Sequence, residues 1–216
     1  MPAKTIYAFL EALTANNSKA WMDANRQWYH EARDEVVALI DPILAELKAH
    51  DPRIVQDSVR QSLNRINNNL MFHPNRPTYK DHFGIGIGYG KGLPDFYIEL
   101  GVAGDMLAAG LWHPSPAEIK MVRTEIDYEG AQLAGILHAP AFRERFELFT
   151  DDALKGTPKG YPKDHPHIDL LRLKSIGAFE RLPQRAALQP DFAERVISAF
   201  RLLSPMLDFL LVGVGK

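Results

Sequence analysis

From Phe83 to Gly90 every second residue is glycine: Phe83, Ile85, Ile87 and Tyr89 alternate with Gly84, Gly86, Gly88 and Gly90. A period of two is the spacing of one strand face, and a helix does not place apolar side chains that way. The alternation resumes at Phe96, Ile98, Leu100 and Val102 after the turn-forming Gly92-Leu93-Pro94, which predicts two antiparallel strands joined by a turn. A third strand is expected over 106–112. Glycine at alternate positions leaves one sheet face bare, so a helix or a ligand is expected to approach it closely. The same regularity argues against a phosphate-cradling loop, which needs irregular glycine spacing between a strand and a helix.

Helical patterns flank this meander. Ile6, Phe9, Leu10 and Leu13 share one helix face, and Asn16, Asn17 and Ser18 supply a stop and a fresh N-cap. A long helix is expected from Lys19, with Trp21, Trp28, Ala32, Leu39, Ile43 and Leu47 on its buried side. Pro42 should kink or restart it, with Asp41 as the cap of the restart. Ser115-Pro116-Ala117-Glu118 is a capping box with proline at the first helical position, so a helix starts there. Shorter helices are expected from Pro140 and Pro166, and a longer one from Pro190 with Phe192, Val196, Ile197, Phe200, Leu203 and Leu207 as its apolar stripe. Trp21, Trp28 and Trp112 read as core, and His30 and His138 as surface or half-buried helix residues. Helices, a small antiparallel β-meander, then helices again indicate an α+β fold, organised as a single globular domain over residues 1–216.

Composition bounds the function. With 46% apolar and 24% charged residues in a chain of 216, the sequence supports a buried core. A formal net charge of -2 gives no overall attraction to nucleic acid or an anionic membrane, so nucleic-acid binding would need a local patch. The chain has no cysteine, which excludes disulfides, thiolate metal sites and a cysteine nucleophile, and favours a reducing, cytoplasmic setting. The apolar run 202–214 is too brief to span a bilayer, and reads as a buried helix end or a homodimer contact through the C-terminal helix.

Two segments concentrate cations. Residues 58–80 hold Arg60, Arg65, Arg76 and Lys80 with no acid, a composition suited to an anion. The alternative is a solvated helix face running into a loop at His73-Pro74, and only Phe72 and Tyr79 offer aromatic surface there. Residues 155–174 carry five cations, two acids and two histidines. Pro166 in a first helical turn would make Asp164 or His165 an N-cap, turning free N–H groups and the positive dipole end outward. Lys155, Lys159 and Lys163 could join that helix start in holding a phosphate or carboxylate. Alternatively the lysines are solvated and the cap is purely structural. A metal site on His165 and His167 is disfavoured, because clustered lysines repel a cation. Catalysis would draw on Asp164, His165 and Lys159, though no nucleophile motif stands beside them.

The quoted residues resemble a bacterial and fungal family known as domain of unknown function 2461. The resemblance rests on Phe9-Leu10, Leu13, Asn16-Asn17, Lys19, Trp21, Asn25 and Tyr29, then Arg65-Ile66, Phe72 and Tyr79-Lys80, then Gly110, Trp112 and Pro114. Its most specific part is similar to Leu154-Lys155, Pro158-Lys159-Gly160-Tyr161, Asp164-His165-Pro166, Leu170-Leu171 and Lys174. It spans nearly the whole chain and implies kinship without a reaction. One stretch departs from the family pattern. Where relatives carry charged groups after the arginine-isoleucine pair, this chain has Asn68, Asn69, Met71, Pro74 and Asn75, with Arg76 keeping a charge and the proline at Pro77. That leaves open any activity those charges support. The expectation is a domain that binds a small anionic or phosphorylated ligand through Lys155, Lys159, Asp164, His165 and Lys174, with Arg65 and Lys80 as neighbours and neither cofactor nor metal. A hydrolase or transferase of a phosphorylated substrate, with Asp164 orienting His165, and a non-enzymatic interaction module are the alternatives.

Overall fold

The computed structural model describes residues 3–71 and 74–216, so Phe72 and His73 lie outside the described residues. Helix α1, Lys4–Ala15, buries Ile6, Tyr7, Phe9, Leu10 and Leu13 as the spacing requires. The Ser18 hydroxyl accepts from the Trp21 N–H and caps α2, Lys19–Ala24. The helix expected from Lys19 is in fact two. At Asn25 the backbone leaves helical geometry and the side-chain amide donates to the Trp21 carbonyl at 2.9 Å, after which α3 runs Arg26–His50. Helix α3 runs on through Pro42 and does not restart there as a separate helix. Asp41 is therefore no cap. Its carboxylate accepts from the Ser58 hydroxyl (3.0 Å) and the Val59 N–H (2.8 Å), anchoring the 3₁₀ turn Val59–Gln61.

The strands are β1 His82–Gly88, β2 Asp95–Gly101, β3 Asp105–Leu111, β4 Glu147–Leu148 and β5 Ile176–Leu182, in an antiparallel sheet of order β1-β2-β3-β5-β4. The fold is α+β as expected, with two strands that the pattern did not announce. Strand β5 is buried on both faces from Ile176 to Glu180, so apolar and polar positions do not alternate along it. Between β3 and β5 the backbones run so close that a Cβ at Gly110, which has φ +144°, would overlap the Ile176 carbonyl and Gly177. At Gly84 and Gly88 the bare face of β1 is approached by the neighbouring chain of β2 and the turn before it. The Tyr97 ring of β2 lies over Gly84, and Pro94 and Asp95 close on Gly88.

Ser115 and Glu118 form the full capping box of α4, Pro116–His138. Two four-residue helices follow, α5 Pro140–Arg143 and α6 Ile168–Leu171, and α7 runs Phe192–Gly213. Helix α7 extends well before residue 202. Its 22 residues are long and apolar enough to cross a membrane by length and composition, and 56% of its most apolar window is buried, including Phe200, Leu203 and Leu207.

The chain divides into two compact units. Unit 1 comprises Met1–Ile87, Tyr97–Leu107 and Arg181–Ile197; unit 2 comprises Gly88–Phe96, Ala108–Glu180 and Ser198–Lys216. In unit 1, Phe9 centres an aromatic cluster with Trp28, Tyr29 and Phe83 at ring separations of 5.8, 5.7 and 6.2 Å. Deeper in, the Tyr7 hydroxyl donates to Asp105 at 2.5 Å, and Asp105 also accepts from the Gly101 and Ala187 N–H groups. In unit 2, Phe96 packs edge-on against Phe200. Trp112, expected in the core, is 58% exposed. It stands one residue past the end of β3 and rests against Phe149 at 4.8 Å.

Candidate functional site

In unit 2 the 155–174 segment is fastened along one stripe of α4. The Arg123 guanidinium donates to the Leu171 and Leu173 carbonyls at 2.8 and 3.1 Å. One turn on, Asp127 meets His165 Nε2 at 2.9 Å. At Gly130 the His167 ring fills the place a Cβ would take. Positions 123 and 127 are one helical turn apart and face the same way, and Gly130 follows directly on a break in helical geometry at Glu129 (φ -120°, ψ 27°). The His167 N–H donates to His165 Nδ1 at 3.0 Å, which makes Nδ1 an acceptor and assigns the ring proton to Nε2, facing Asp127. Both ring nitrogens of His165 thus meet protein groups, and its side chain is only 9% exposed. The carboxylate on it is Asp127; Asp164 is exposed.

The helix start also falls elsewhere than expected. His167, not Asp164 or His165, is the N-cap of α6, and it makes no side-chain capping bond. Four residues give that helix little dipole to offer an anion. Lys155, Lys159, Lys163 and Lys174 are exposed and, among the described residues, carry no ion pair. Two links draw part of the segment together: Leu154 N–H donates to the Arg172 carbonyl at 2.8 Å, and the buried Ser175 hydroxyl donates to Asp152 at 3.4 Å. The same hydroxyl accepts from the N–H of His113, a residue at φ +45°. One serine thus ties His113, the residue after Trp112, to Asp152, two residues before Leu154. Ser175 has no exposure that would let it act on a ligand.

Where His167 leaves α4, unit 2 opens into a cleft of about 480 Å³. Leu137, Phe142, Phe146 and Leu148 give it an apolar floor, and His138, Arg143, His167 and Asp169 supply polar groups. The volume lies in the range of small-molecule sites. Arg143, in the last turn of α5, is exposed and among the described residues has no acidic partner, whereas Asp169 is paired with Arg172 at 3.1 Å. Sequence reasoning missed Arg143 and gave His138 only a structural place. Neither stands in a motif, and only the folding of 166–170 beside α4 and α5 makes them neighbours.

Arg65 and Lys80 belong to unit 1. Around the described residues 59–68 and 78–80 there is no long helix face. After the 3₁₀ turn, Asn64 N–H donates to the Gly84 carbonyl, Lys80 N–H to the Ile66 carbonyl and Asn68 N–H to the Thr78 carbonyl, at 2.8, 2.8 and 3.0 Å, so residues 66–68 pair with 78–80 as extended chain. Arg65 is exposed and Lys80 half-buried. Asn17 grips Tyr79 from both sides, accepting from its N–H at 2.9 Å and donating to its carbonyl at 3.0 Å. Burial pulls the Lys80 amine below its ordinary value, against the opposing charge of Glu99. On β2, Glu99 accepts from the Tyr97 hydroxyl at 3.0 Å and lies 3.4 Å from His82 Nε2, while His82 Nδ1 faces Asp81 at 2.9 Å.

No curated protein and no solved structure matches this chain. A family model does, over residues 5–209, and it takes in both the Asn17–Tyr79–Lys80 grip of unit 1 and the α4-bound segment of unit 2. Its description is conserved hypothetical protein (DUF2461), and the chain belongs to that family.

Proposed function

We propose that the protein binds a small organic anion with an apolar body, in the cleft of unit 2. The observation that carries this reading is an exposed arginine, Arg143, without an acidic partner among the described residues, at the edge of an apolar floor. A guanidinium presents a planar fork of donors that suits a carboxylate or phosphate. His138 and His167 add ring N–H groups, and Phe142 and Phe146 offer an aromatic wall to the rest of the ligand. The neighbouring 155–174 lysines add positive field without having to touch the ligand. This keeps the small anionic ligand expected from the sequence and moves its anchor from the lysines to Arg143.

Calorimetric titration with benzoate and hexanoate, against benzyl alcohol and hexanol, tests the reading. Ligands of this size should bind with Kd on the order of 0.1–1 mM, and the neutral alcohols much more weakly. Arg143→Gln should lower affinity about tenfold or more, the worth of one charge-assisted pair. Carboxylates that bind no better than alcohols, or binding unchanged in Arg143→Gln, would refute it.

A further inference from the structure

Part of the cleft wall in unit 2 is the turn 166–170: Pro166, His167, Asp169 and Leu170 all line it. Its start is fastened by one imidazole. The His165 and His167 carbonyls accept from the Ile168 and Leu171 N–H groups at 3.0 and 3.1 Å, so α6 is built directly on these two residues. The His165 ring ties them to α4 through both nitrogens. Nε2 meets Asp127 at 2.9 Å, and Nδ1 accepts the His167 N–H at 3.0 Å. The titratable groups around that ring are Asp127 on α4, the Tyr161 ring edge-on at 6.0 Å and the His167 ring at 5.9 Å. Arg123 stands one turn before Asp127 and holds the Leu171 and Leu173 carbonyls.

We propose that His165 is a proton-operated latch on the cleft wall: neutral, it fixes His167 and the start of α6; protonated, it lets them go. A neutral imidazole has one N–H and one lone pair, and this site uses both. An imidazolium has two N–H groups and no acceptor. A proton on Nδ1 would face the His167 N–H donor against donor, and that amide would lose its acceptor. Asp127 works the other way, because its charge favours the protonated ring. It meets only Nε2, however, so it can keep an imidazolium on α4 without restoring the lost acceptor. Arg123 still holds Leu171 and Leu173, so the loosening is confined to the cleft-lining stretch before them. The consequence for a ligand rests on the proposed cleft site, whereas the latch stands on the docking geometry alone.

Amide hydrogen exchange of the whole protein, followed by NMR and corrected for the intrinsic rate at each pH, reads the latch at its own N–H. From pH 7.5 to 5.0, protection of the His167 N–H should fall about tenfold or more. The Phe149 N–H, bonded to the Gly177 carbonyl in the same unit, should keep its protection. Unchanged protection at His167, or an equal loss at Phe149, overturns the latch, and that readout needs no variant. His165→Asn keeps an acceptor two residues before the His167 N–H, as in an Asx-turn, and does not titrate. The fall should vanish in it; a fall that persists overturns His165 as the sensor. Benzoate titration of both proteins reads the gating. Affinity of the parent relative to His165→Asn should drop about threefold or more on acidification, because titration of His138 and His167 cancels in that ratio. A constant ratio overturns the gating. Benzoate that binds neither protein overturns the cleft site and the gating together, while the His167 amide still decides the latch.

Discussion

Asp95 opens β2 in unit 2 with its carboxyl pushed up to about 6 from an ordinary 3.8, and burial is the only cause. Among the described residues nothing donates to it. Because the folded value lies above the unfolded one, the fold prefers the protonated acid. The contribution is fully present below pH 3.8 and is lost as pH rises through about 6. A tenfold change in proton affinity is worth about 1.36 kcal/mol, so an ionised Asp95 costs about 3 kcal/mol at pH 7.5. Of that cost, about 2 kcal/mol develops between pH 4.5 and 7.5. Asp95→Asn keeps the shape and removes the titration.

Urea unfolding of both proteins at pH 4.5 and 7.5 isolates this one group, since every other titration cancels in the difference between them. The variant should be the more stable by up to about 3 kcal/mol at pH 7.5, with about 2 kcal/mol less advantage at pH 4.5. An advantage equal at both pH values would show that Asp95 does not titrate between them. A variant less stable at pH 7.5 than at 4.5, relative to the parent, would show that the carboxylate is favoured in the fold and refute the reasoning outright.

Two further outcomes follow from unit 1 and unit 2 in turn. Tyr7→Phe removes a donor from the buried Asp105, whose carboxyl is already raised by burial, and should cost about 2 kcal/mol at pH 7 in urea unfolding. The cost should shrink as Asp105 takes up a proton at lower pH, because a neutral acid needs that donor less. Gly110→Ala combines φ +144° with overlap of the Ile176 carbonyl and Gly177, and should cost on the order of 3–5 kcal/mol, read as a fall in the urea midpoint.

What the sequence revealed of the fold was whatever local spacing encodes. The β1–β2 pair, the Ser115 capping box and the buried face of α1 are each written within a few residues of themselves. Strand β5 was invisible because both its faces are covered, which erases the alternation. Asp41 was misread because its partners, Ser58 and Val59, lie 17 and 18 residues away, and a carboxylate before a proline looks like a cap until those partners are known. Trp112 was misread for the converse reason. Its size argues for the core, yet the strand ends at Leu111, and the ring rests against His113 and Phe149 with 58% of the residue exposed.

The site divides along the same line. Within 155–174, the density of titratable groups suggested one cluster with one role, but the fold sorts them into two kinds. His165, His167 and the Leu171 and Leu173 carbonyls face α4, through partners 37 to 50 residues distant at Asp127, Arg123 and Gly130. The lysines face solvent. A histidine next to a proline, with its second nitrogen on a carboxylate, serves here to dock a segment, and its spacing to other histidines says nothing of that. The proposed ligand site rests instead on Arg143, which is exposed beside apolar surface and has no acidic partner among the described residues. No local pattern marks such a residue. An arginine at the end of a four-residue helix looks ordinary until the docked segment closes the far wall of its cleft, so the family signature shapes the site chiefly by what it holds in place.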